Sequence, residues 1–87
     1  MLTVEKLLIL VNWKWDHAAF LQAAPAKEKD LMASLDWDEY AGLLQDLMLV
    51  TKNLVSKEYA QKVHRQLLAA CADEATTQTF IGYASTL

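Results

Sequence analysis

Between Val4 and Gln22 the sequence is apolar on two opposite sides once it is wound as a helix. At about 100° per residue, Val4, Leu7, Leu8, Val11, Trp15 and Ala18 gather into one narrow stripe. Ile9, Trp13 and Phe20 form a second stripe roughly half a turn away. Glu5, Asn12, Lys14 and Asp16 lie between them. A helix with two such faces has to be sandwiched within its own fold or meet another chain, because neither flank is at rest in water.

Length and composition narrow the fold further. Eighty-seven residues make a single domain, residues 1–87, with no room for a second core. So small a domain needs a high apolar content to offset chain entropy, and here 54% of residues are hydrophobic and 22% charged. Disorder is excluded on that balance. Two glycines and one proline are too few for a fold made of many tight turns, which leaves helices joined by short polar connections. The formal charge of −3 lacks the strong basic excess of a dedicated nucleic-acid binder, so nucleic acid is not the expected partner. The single Cys71 has neither an internal partner nor metal or redox spacing, which fits a reducing compartment. The apolar run Leu7–Val11 is interrupted by Asn12, Lys14 and Asp16 too early for a signal peptide, and no run approaches the roughly 18 residues needed to cross a bilayer. A cytoplasmic protein with no membrane partner is the expectation.

Capping residues divide the chain. Thr3 precedes a first predicted helix that fades near Ala23, because Pro25 disfavours helical geometry in the residue before it. Pro25 opens a second, shorter helix to about Leu35, with Leu31, Met32 and Leu35 as a narrow apolar edge. Asp36, with Glu39 three residues on, opens a third over Trp37–Leu54 whose apolar arc fills about half its circumference. Gly42 falls on its polar side and costs that helix about 1 kcal/mol relative to alanine. Ser56 caps a fourth helix from Lys57 to about Ala72, facing inward through Tyr59, Ala60, Val63, Leu67, Ala70 and Cys71. After Glu74 no charged side chain remains, and Thr76 or Thr77 is placed to cap a short fifth helix carrying Phe80, Ile81, Ala84 and Leu87. Leu7–Trp15 also reads as a buried strand, but a lone strand leaves its backbone polar groups unpaired. The expected architecture is an all-α bundle of four helices with a possible short fifth at the C-terminus, the first and third helices central.

Residues able to carry chemistry are few. His17 and His64 have no companion ligand at matching spacing, so a catalytic or metal role for either lacks a motif. Cys71 lies on an apolar face about 10 Å along the helix from His64, too far for direct activation, and reads as a small packing residue. Asp36, Asp38 and Glu39 are accounted for by helix capping. No cofactor, catalytic residue or metal ligand set is predicted, and an enzyme is not expected. Lys52, Lys57, Lys62 and Arg65 make residues 52–65 locally basic, a solvated face or a contact for phosphate or an acidic partner. Trp13 belongs with Ile9 and Phe20, and aromatic residues on such a patch are typical interface anchors.

The leading expectation is therefore a non-enzymatic interaction protein that masks a partner surface through Ile9, Trp13 and Phe20. It would act as a homodimer, or as a stoichiometric inhibitor, immunity or regulatory factor bound to another protein. A nucleic-acid-associated regulator using Lys52, Lys57, Lys62 and Arg65 is the alternative. A small enzyme or ligand carrier near His64 ranks last.

Overall fold

Helices begin in this chain where a side chain or a proline stands ready to start them. The computed structural model describes all residues, Met1–Leu87, and contains six helices. They are α1 (Val4–Asn12), α2 (His17–Ala23), α3 (Ala26–Leu31), α4 (Trp37–Thr51), α5 (Lys57–Ala70) and α6 (Glu74–Ser85). Thr3 accepts a hydrogen bond from the Lys6 amide, Asp36 from those of Asp38 and Glu39, and Ser56 from that of Tyr59, each satisfying an otherwise orphaned N–H. Pro25 stands at the head of α3 with Ala24 extended before it, as the steric clash of a pre-proline residue requires. The all-helical class is as expected and no strand forms, but the four-helix count is not found. The first predicted helix is two helices, and the C-terminal one is a full 12 residues. The second predicted helix also ends early, at Leu31.

The first helix breaks at Trp13–Trp15. The Lys14 amide donates to the Val11 carbonyl and the Trp15 amide to that of Leu10, the paired bonds of a Schellman C-cap. Lys14 and Trp15 take φ values of 52° and 61°, the left-handed region. Asp16 then restarts the chain as the cap of α2, accepting from the Ala19 amide at 3.0 Å. The two stripes proposed for one continuous helix therefore belong to two helices meeting at a turn. The turn sends neighbouring tryptophans apart. Trp13 meets Phe20 edge-on at 5.7 Å, while Trp15 stacks on Tyr83 at 6.4 Å and packs against Phe80 at 6.2 Å. The left-handed conformation at Lys14 costs about 1–2 kcal/mol, and glycine there forfeits only about 0.5–1 kcal/mol of chain entropy. Lys14→Gly is therefore expected to be neutral or to stabilise by up to about 1 kcal/mol in urea unfolding. In an unbroken helix the same change would cost about 1 kcal/mol, so the sign distinguishes the two geometries.

The core runs along α4 and α6. Trp37, Tyr40, Leu43, Leu44 and Leu47 bury one side of α4, which packs against both α5 and α6. The α6 helix also touches α1 and α5, placing Phe80 and Ala84 at the centre with no exposed surface. The expected pairing of the first and third helices at the centre is thus corrected: α4 is central, but its partner is α6. Asp73, not Thr76 or Thr77, caps α6. Its carboxylate accepts from the Thr76 amide at 2.8 Å and the Thr76 hydroxyl at 2.7 Å, which leaves both threonines buried in the first turn. Those bonds hold the Asp73 carboxyl below the ordinary carboxylate range. Tyr59 ties α5 to α4 through a 2.8 Å hydrogen bond from its hydroxyl to Asp46. The molecule measures 42 × 22 × 18 Å.

A candidate partner-binding groove

Breaking the first helix sets α3 alongside α1 with a groove between them. Ile9 of α1 and Leu31 of α3 are its apolar lining, and both are half-buried. Glu5, Lys27, Glu28 and Asp30 surround that strip with charges of both signs. Trp13 joins the groove through its indole N–H, which donates to Glu28 at 3.3 Å. A charged acceptor strengthens such a bond and fixes the ring. An apolar strip ringed by polar groups suits an inserted side chain from another protein, with the ring setting orientation.

The three proposed anchors therefore part company. Ile9 lines the groove and Trp13 flanks it, half-buried. Phe20, 1% exposed, is taken up by the chain's own core between Trp13 and Trp37. Of the two opposed apolar flanks, Leu7 and Phe20 are buried, Val4, Ile9, Val11, Trp13 and Trp15 are half-buried, and Leu8 and Ala18 are exposed. What sequence reading missed is the α3 wall. In sequence Lys27, Glu28 and Asp30 carry no signal beyond helix charge, and Leu31 belongs to the narrow apolar edge with Met32 and Leu35. Nothing local marks them, because the groove exists only once α1 and α3 lie side by side.

The basic residues fall on two elements, Lys52 at the end of α4 and Lys57, Lys62 and Arg65 on α5. Lys57 and Arg65 border a shallow depression on α5 with His64, whereas Lys52 lies beside Leu49 and Leu54 at the end of α4. Lys62 is about 140° round α5 from Lys57.

Cys71 and His64 border a common surface depression with Asp73. The thiol itself is only 4% exposed. Burial pushes it up from its ordinary pKa, with the Thr77 hydroxyl pulling more weakly the other way, so it is held protonated. His17 lies flat on the Trp37 ring at 4.5 Å, far from a nucleophile's needs but well suited to covering an aromatic face. The Trp37 indole N–H beneath is buried without a hydrogen-bond partner. No group of three or more His, Cys, Asp or Glu side chains is arranged to hold a metal ion. No helix is long and apolar enough to cross a membrane.

Comparison of the chain with protein-family models, with curated proteins and with solved structures finds no match.

Proposed function

We propose that this protein is a non-enzymatic interaction module that binds another protein stoichiometrically and masks part of its surface. An inhibitor, immunity factor or regulator would work in this way. The observation that carries the reading is the α1–α3 groove, where Ile9 and Leu31 remain accessible inside a ring of Glu5, Lys27, Glu28 and Asp30. An apolar knob on the partner displaces water from the strip, and oppositely charged groups around it fix the register. Trp13, held by Glu28, extends the apolar contact at one end.

The test is made at the groove lining. Trp13→Asp would also remove the packing on Phe20 and set a carboxylate against Glu28, confusing binding with folding. Ile9→Gln and Leu31→Gln avoid this, since both side chains are already half in water. Immobilised full-length protein should capture a partner from the native host as a one-to-one complex, identified by mass spectrometry. Each variant should weaken that complex about tenfold or more, equivalent to about 1.4 kcal/mol, with helicity by circular dichroism unchanged. A partner held equally well by wild type and both variants would place its binding site elsewhere.

A further inference from the structure

The α1–α3 groove, of about 420 Å³, is not electrically neutral. Three carboxylates, those of Glu5, Glu28 and Asp30, stand against the single ammonium of Lys27, which leaves its rim a formal charge of −2. Two of the three are placed at its ends. Glu5, Ile9 and Trp13 follow one another at steps of four residues along α1, about 6 Å apart on one side of the helix. Trp13 holds Glu28 of α3 at its own end of the strip, the indole N–H donating to Oε1 at 3.3 Å. Along the groove the order is therefore carboxylate, aliphatic side chain, then carboxylate beside an aromatic ring. Leu31 lines the opposite wall.

Glu28 is half-buried, whereas Glu5 and Asp30 are exposed. A carboxylate offers about four acceptor sites, and the indole takes one. The others are held in place beside an apolar strip, where water screens a charge less than on an open surface. A cation arriving there meets a side chain already ordered, so less freedom is lost on contact.

Taking the groove as the binding site proposed above, we propose that its occupant is a segment of another protein in which an aliphatic side chain has an arginine or lysine on either side. In an extended segment, residues two apart share a face and stand about 6–7 Å from each other. The pattern cation, any residue, aliphatic, any residue, cation then lays its three groups on Glu5, the Ile9–Leu31 strip and Glu28. Asp30 adds to the same field and Lys27 opposes it. An acidic segment of the same shape would set like charges together at both ends. Arginine suits the Glu28 end best, because its planar fork matches a carboxylate and its face an indole ring. No stretch of this chain carries that pattern, so a second copy does not supply it.

Titration of the full-length protein with the capped peptide Arg-Ala-Leu-Ala-Arg, followed by heteronuclear NMR, reads the site directly. The Trp13 indole resonance and the Ile9 and Leu31 amides should move together at up to about 5 mM peptide. Citrulline in place of arginine keeps the shape and removes the charge, and that peptide should bind at least about tenfold more weakly. Glu28→Gln keeps an oxygen for the Trp13 indole while losing the charge, which separates cation binding from structure. It and Glu5→Gln should each weaken binding about threefold or more, and Lys27→Gln should tighten it. Asp38→Asn, in the acidic depression between α4 and α5, should change nothing. A titration that moves no groove signal overturns the proposal, as does a citrulline peptide that binds equally well. So does Asp38→Asn weakening binding as much as Glu28→Gln, which would make the attraction a property of the whole acidic surface. A host partner weakened by Ile9→Gln and Leu31→Gln but indifferent to Glu5→Gln and Glu28→Gln would keep the groove as the binding site and remove only its preference for cations.

Discussion

Replacing Phe80 by alanine should cost about 3–5 kcal/mol, the range for emptying a fully buried aromatic site. The ring has no exposed surface, packs against Trp15 at 6.2 Å and sits on α6 where that helix meets α1, α4 and α5. No single neighbour can collapse into the space without leaving another contact. Domains of this size hold a total of about 5–15 kcal/mol, so the variant should lose a large share of its stability. Urea unfolding followed by far-ultraviolet circular dichroism gives the number. A loss under about 1 kcal/mol would mean that α6 is peripheral, as its sequence alone suggests.

Leu2→Ala should be nearly as damaging, at about 2–5 kcal/mol, despite lying one residue from the N-terminus. Terminal residues ordinarily fray. Here the Leu2 side chain is wholly buried, its amide donates to the Ala70 carbonyl at 2.9 Å, and its carbonyl accepts from the Ala72 amide at 2.8 Å. Those two bonds also serve the α5–α6 junction, where the Cys71 backbone is extended and would otherwise leave polar groups unpaired. Alanine keeps the bonds and empties the space beneath them. The same contacts predict that the Leu2 and Ala72 amides exchange with solvent only when the whole protein opens. Exchange at the rate of a frayed end would remove this strap from the account, whatever the stability of the variant.

These two residues show where sequence reading stops. Helix starts were legible because a cap is a local device. Thr3, Asp36 and Ser56 each bond amides two or three residues on, and the spacing alone announces it. The start of α6 was misplaced for a related reason. Thr76 and Thr77 are plausible caps in isolation, but Asp73 lies three residues earlier and offers a charged acceptor to both the amide and the hydroxyl of Thr76. The centrality of α6 left almost no pattern. Its buried face is Thr76, Thr77, Phe80 and Ala84, so half of its core positions are threonines, while Glu74, Ala75, Gln78, Thr79, Gly82 and Ser85 stay exposed. The threonines and glutamine between the cap and Phe80 then read as indifference to water.

The groove was half legible. Ile9 and Trp13 stood out as an apolar excess that one buried face did not need. Lys27, Glu28 and Leu31 did not, because their significance depends on which helix lies opposite. Phe20 was assigned to the same outer stripe only while the helix was taken as continuous. Once α2 restarts at Asp16, the residue turns inward onto Trp37.

The amino-acid order settled the all-helical class, most helix beginnings and the helix-stopping effect of Pro25, since these follow from contacts three or four residues apart. The break at Trp13–Trp15 had to be decided elsewhere. Continuing the helix or turning through two left-handed residues differs locally by only a few kcal/mol. That margin is overturned by Trp15 reaching Phe80 and Tyr83, with its indole N–H donating to the Tyr83 hydroxyl 68 residues away. Burial at such separation is a property of the assembled core, and no window along the chain contains both ends of it.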